Sequence, residues 1–112
     1  MKLLTAVIKP SMLDRLASTL RRAPIAGITV LSAHGFGREE FESDLELVGY
    51  LSERTIVQMV VSDDHADELV QLIQKTVSTK SPGDGVIFVS EVESAIRLSD
   101  GGSIGSPSRE NG

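Results

Sequence analysis

A change of hydrophobic period in mid-chain constrains this sequence more than any other feature. Thr55-Ile56-Val57-Gln58-Met59-Val60-Val61 reads as a strand, Ser62-Asp63-Asp64 supplies a helix cap, and Ala66, Leu69, Val70, Ile73 and Val77 then fall at i, i+3, i+4, i+7 and i+11. A strand feeding an amphipathic helix has to bury the helix's apolar stripe on a sheet. The same unit stands earlier in the chain. Leu3 to Ile8 reads as a buried strand closed by Lys9-Pro10. Ser11 with Asp14 three positions on resembles a capping box, and Leu13, Leu16, Ala17 and Leu20 share a helical face. Arg21 and Arg22 suit the last turn of that helix, and Pro24 stops it.

Gly27 turns the chain into a half-buried strand, Ile28 to Ala33, and Val86 to Val89 forms a fourth strand after the second helix. Glu91 to Ile96 reads as a short turn of helix, and the Gly, Ser, Pro and polar content from Asp100 onward predicts a tail, 100–112, without fixed structure. The order strand, helix, strand, strand, helix, strand, with right-handed crossovers, predicts an α+β, ferredoxin-like βαββαβ domain over residues 1–99. Its four-stranded antiparallel sheet carries both helices on one face. The other face stays open, so copies are expected to meet through it around a symmetry axis.

Composition narrows the function. With 112 residues the chain makes one domain, and with 4% aromatics and no Trp its core must be Leu, Ile and Val. A net charge of −5 opposes attraction to nucleic acid or to an anionic membrane surface. The absence of cysteine excludes disulfides, thiolate metal sites and cysteine nucleophiles. The apolar start is too short for a secretory signal, and no apolar run reaches the roughly 18–20 residues of a membrane span, so a cytoplasmic protein without direct membrane insertion is expected.

Two glycine turns are the candidate ligand sites. In Lys80-Ser81-Pro82-Gly83-Asp84-Gly85 the glycines would let successive backbone N–H groups face one concavity able to hold a phosphate, while Asp84, itself an anion, would fix the turn through side-chain to backbone hydrogen bonds. The second turn is Gly35-Phe36-Gly37-Arg38, whose arginine suits a phosphate. Between it and the third strand lies an acidic stretch, Glu39 to Ser52, without clean period, read as a mobile loop. Its carboxylates Glu39, Glu40, Glu42, Asp44 and Glu46 are read as solvated rather than metal-binding. His34 and His65 lack partner sets and are read as surface or packing residues.

Ala6 to Pro10, Gly27 to Val30, Gly35 to Arg38 and Gly83 to Val89 stand in one order and spacing, and through them the chain resembles the PII signal-transduction family over about residues 3–98. The resemblance implies a homotrimer of non-enzymatic subunits that binds adenine nucleotides in clefts between subunits; for this chain no cofactor and no metal ligand is expected. It implies a partner, a membrane transporter or a cytoplasmic enzyme, engaged through residues 39–52, so that the protein lies in the cytoplasm or, through a transporter, at the inner membrane. Carried over position by position, Thr29 and the backbone around Val60 and Gly85 would receive adenine, with Val7, Ile28 and Met59 beside them in the nucleotide-binding set, although the strand position of Met59 itself reads as core. Gly35, Phe36, Gly37, Pro82, Gly83 and Asp84 would approach the phosphates with Arg38 and Arg97 as charged contacts, and Val86 and Ser99 complete the set. Gly49, Tyr50 and Arg54 would bind a small anion at the base of the loop.

The departures from the family matter equally. Val86 and Ser99 stand where the family usually has a lysine and a second arginine, and Glu39 stands where it usually has a glutamine that helps hold magnesium and 2-oxoglutarate. These losses favour ADP or AMP over ATP, with cyclic AMP a further candidate, and point to the family branch associated with carbon dioxide fixation, which adds bicarbonate as effector and an inorganic-carbon transporter as partner. The alternative within the family is a nitrogen-regulatory protein controlling an ammonium transporter or a metabolic enzyme. The alternative of another class, a ferredoxin-like phosphoryl-transfer enzyme, needs a nucleophile, metal ligands and cations that the chain scarcely offers.

Overall fold

The computed structural model describes residues 1–35 and 52–104. Strands β1 (Lys2–Ile8), β2 (Thr29–Gly35), β3 (Ser52–Val61) and β4 (Gly85–Glu91) form one sheet in the order β2-β3-β1-β4. Every neighbouring pair is antiparallel. Helices α1 (Leu13–Leu20) and α2 (Asp63–Val77) join them, which is the predicted ferredoxin-like arrangement.

Alternation along the strands decides which face the helices cover. Leu4, Ala6 and Ile8 of β1 and Val57, Met59 and Val61 of β3 are buried, together with Leu16 and Leu20 of α1 and Ala66, Leu69, Ile73 and Val77 of α2. Fully burying each Leu, Ile or Val contributes about 1.5–3 kcal/mol, so this single layer holds the domain together. Leu69 is completely buried, and its truncation to alanine would cost about 2–5 kcal/mol.

Turn chemistry departs from expectation in several places. Pro10 opens a 3-10 turn, Pro10–Met12, closed by the Met12 N–H on the Lys9 carbonyl at 2.9 Å. The helix therefore begins only at Leu13, with Met12 in the N-cap position, and Ser11 makes no cap bond. Ser62 has the extended backbone of an N-cap, again with no side-chain cap bond, while Asp63 and Asp64 complement the first turn of α2. The chain's ammonium group pairs with Asp63, holding that carboxyl below the usual range. Strand β2 runs on through Gly35, and β3 starts at Ser52, before the expected Thr55 and inside the stretch read as loop.

The C-terminal segment needs two corrections. Residues 91–96 form no helix, because β4 continues to Glu91 and the Val92 N–H then reaches the Met1 carbonyl at 3.1 Å. The expected tail also does not begin at Asp100. Ile96 and Ser103 form an antiparallel bridge, and the Ile104 N–H bonds the Ala95 carbonyl at 2.8 Å, so residues 95–104 close a small hairpin. Residues 105–112 lie outside the described part.

Candidate functional site

The sheet face away from the helices carries three cross-strand rows. Leu31, Ile56, Val7 and Val86 lie side by side across all four strands, as do Thr29, Gln58, Thr5 and Phe88, and beside them Val60, Leu3 and Ser90 span three. Gln58 donates to the Thr5 hydroxyl at 3.3 Å. Leu31, Val86 and Phe88 remain 45%, 50% and 56% exposed, a contiguous apolar surface with a polar row through it.

These rows sort the residues singled out in the sequence. Val7 and Val60 are half-buried on this face near its middle. Thr29 lies exposed at one edge, in β2, with half-buried Ile28 just before it packing on the core. Gly35 ends β2 opposite Ser52, and Arg54 sits opposite Ala33 with its guanidinium donating to the Glu53 carbonyl at 3.1 Å. Val86 and the 82–85 turn lie at the other edge, in and beside β4. Thr29 and Phe88 are three strand spacings apart, about 14 Å, so Thr29 does not meet the β4-side residues within one subunit, whereas Val7 lies directly opposite Val86. Met59 takes the core position read from its strand and not a ligand contact through its side chain. Its side chain is 2% exposed in the helix-covered core, because the strand's alternation turns it away from the open face, and only its backbone remains for a ligand. Phe36, Gly37, Arg38, Gly49 and Tyr50 lie outside the described residues, as does the 39–52 loop apart from Ser52.

The turn before β4 is built around Asp84. Pro82–Asp84 form one 3-10 turn, with the Asp84 N–H on the Ser81 carbonyl at 3.1 Å and the Gly83 N–H on the Ser81 hydroxyl at 3.3 Å. The Asp84 carboxylate in turn accepts from the Thr79 N–H at 2.6 Å, the Thr79 hydroxyl, and the Ser81 N–H at 3.2 Å. Those bonds, the Thr79 hydroxyl foremost, hold its carboxyl below the usual range. Asp84 thus has the turn-fixing role expected of it. The expected cradle of free N–H groups is corrected: the Thr79, Ser81, Gly83 and Asp84 donors are all taken from within the turn, and Lys80, in a left-handed conformation at φ 64°, gives its N–H to Ser78. Gly85 has φ 124°, and a Cβ there would overlap the Val7 carbonyl oxygen, so only glycine lets β4 start this close to β1. Behind the turn, Ala6, Ile8, Ile73, Val77 and Ser78 line a cavity of about 200 Å³.

The hairpin after β4 holds Arg97 and Ser99. The Arg97 Nε and Nη2 donate to the Asp100 carboxylate at 3.2 and 3.4 Å, and the Gly102 N–H donates to the same carboxylate at 2.8 Å. The Gly102 bond first, then the guanidinium, keeps the Asp100 carboxyl below its usual range. Ser99 is exposed on the turn. Asp100 and Gly102 were not singled out in the sequence, although an aspartate three residues after an arginine, followed by two glycines, is the pattern of a turn closing on itself. Among the described residues no group of three or more His, Asp or Glu is placed to hold a metal ion, and no helix is long and apolar enough to cross a membrane.

Comparison with known proteins adds a consistent result. The family model described as nitrogen regulatory protein P-II matches residues 1–102. The nitrogen regulatory protein P-II of Rhizobium meliloti is 37% identical over 105 residues, covering 90% of this chain and 94% of the relative. That of Mesorhizobium japonicum is 36% identical with the same coverage. The nitrogen regulatory protein GlnK of Escherichia coli is 34% identical over 106 residues, again 90% and 94%.

Proposed function

The chain belongs to the nitrogen regulatory P-II family of signalling proteins rather than to any enzyme class, and from this we propose that it is a trimeric nitrogen-regulatory sensor of adenine nucleotides that acts on a transporter or an enzyme through residues 39–52. The observation that carries the reading is that Thr29 and the 82–86 turn stand at opposite edges of one open sheet face, with Val7 and Val60 between them. Thr29 lies at the β2 edge, and the 82–86 turn lies at the β4 edge with Arg97 in the hairpin that follows that strand. A mononucleotide bridging the two sets draws them from neighbouring copies, with the β2 edge of one meeting the β4 edge of the next. Joining the apolar rows of the open face in the same assembly removes Leu31, Val86 and Phe88 from water.

The relatives bear nitrogen-regulatory names, and the earlier preference for a carbon-linked branch gives way to the nitrogen-regulatory alternative. Within that reading Val86 and Ser99 still offer no cation to a third phosphate. A charge-assisted hydrogen bond contributes about 1.5–3 kcal/mol, so ADP should bind more tightly than ATP. Calorimetry with AMP, ADP and ATP on the intact protein tests this, with a light-scattering mass of three 12.0 kDa chains as its companion. Absence of binding by every nucleotide would overturn the sensor reading. Binding of ATP at least about tenfold tighter than ADP, a difference near 1.4 kcal/mol, would overturn the stated preference alone.

A further inference from the structure

Arg97 is the described cation assigned above to the phosphates, and the hairpin presents it already occupied. Two guanidinium nitrogens face the two oxygens of Asp100, an arrangement that a phosphate would reproduce oxygen for oxygen. The clasp is supported from three sides. The Arg97 N–H bonds the Gly102 carbonyl and the Gly101 N–H bonds the Arg97 carbonyl, both at 2.8 Å, which ties the two arms of the turn. Gly101 has φ 76°, a backbone that favours glycine. At Gly102 a Cβ would overlap Arg97 Nη2, so the missing side chain is what lets the guanidinium fold back over its own turn.

We infer that Asp100 is a specificity-determining residue, an internal carboxylate that competes with a nucleotide's phosphates for the Arg97 guanidinium. This rests on the nucleotide-sensor reading and deepens it. A ligand that needs Arg97 binds only the fraction of molecules in which the clasp is open, and its apparent affinity falls by that fraction. The pair is partly exposed, with side chains 31% and 59% accessible, and such pairs are weak. The clasp is therefore a brake that a phosphate displaces, and it acts on phosphorylated ligands and not on the nucleoside alone.

The experiment is calorimetry of the full chain with ADP and with adenosine, on the native protein, Asp100→Asn, Arg97→Ala and the double variant. Asp100→Asn keeps an oxygen for the Gly102 N–H and removes the charge, and Asp100→Ser is a second variant should the first fold poorly. Release of a weak exposed pair predicts ADP binding about two- to fivefold tighter in Asp100→Asn, with adenosine unchanged and the gain lost when Arg97 is alanine. If Arg97→Ala weakens ADP while Asp100→Asn and Asp100→Ser do not tighten it, the competitor role falls and the nucleotide site stands. A gain equal for ADP and adenosine would mark a purely structural effect and also overturn it. If Arg97→Ala leaves ADP binding untouched, Arg97 leaves the site and the inference goes with it.

Discussion

Two turns flank β4, each closed by an aspartate, and they differ in what the aspartate holds. Asp84 takes only donors from Thr79 and Ser81, two backbone N–H groups and a hydroxyl, whereas Asp100 adds to the Gly102 N–H a guanidinium at the end of a flexible side chain. The glycines differ in parallel. A methyl at Gly85 meets the Val7 backbone, which cannot move without breaking the β1–β4 ladder, while a methyl at Gly102 meets the movable end of Arg97. The first turn is a lock and the second a latch, and both rest on carboxylates of lowered pKa. A depressed pKa alone therefore does not say whether a carboxylate is held by chain donors only or also by a movable guanidinium.

Substitutions can break this contrast. Gly85→Ala should have the largest effect, about 3 kcal/mol or more, because a disfavoured φ adds to backbone overlap, and thermal unfolding should register it as a clear fall in Tm. Asp84→Ala should lower Tm less and speed amide exchange at Thr79 and Ser81, whose N–H groups lose their acceptor. In the native protein that protection is in place above the ordinary carboxylate range and is lost as pH falls through the lowered Asp84 value, so the variant should show a shallower acid limb of stability. An acid limb identical to the native one would place the lock elsewhere.

Gly102→Ala should leave Tm nearly unchanged, since the guanidinium can swing aside, but should separate Arg97 from Asp100, detectable as a shift of the Arg97 Nε resonance. Asp100→Asn should change Tm least of all, because a partly exposed pair contributes little to stability. A loss of stability in Asp100→Asn as large as that of Gly85→Ala would erase the distinction between lock and latch.

The lock was legible in the sequence and the latch was not, for physical reasons. Pro82, Gly83, Asp84 and Gly85 carry local turn chemistry that residue type alone announces, and the periods of 55–61 and 66–77 fix the strand and helix around it. The β1 and β3 alternation likewise separates the core from the open face, and on that pattern Met59 belongs with the core. What escaped was the fate of donors. Whether the N–H groups of a glycine turn point outward or are consumed by a nearby carboxylate depends on a few tenths of an ångström of geometry, which composition does not encode. The stretch from Asp100 departs from expectation for a related reason: Gly, Ser and Asp are typical of chains without fixed structure and also of tight turns, and the Ile96–Ser103 bridge with its flanking backbone bonds is what separates the two.

The position of β1 has a consequence for the order in which the protein is made. The strand synthesised first is an inner one, with Leu3 opposite Val60 on one side and Ser90 on the other. Neither ladder can form until much of the chain has left the ribosome, and the second waits for residues almost at the end of the domain. A product halted before Gly85 would keep one edge of β1 unpaired beside an apolar face, a template for other unfinished copies. Translation arrest is then a condition that exposes this small domain to self-association.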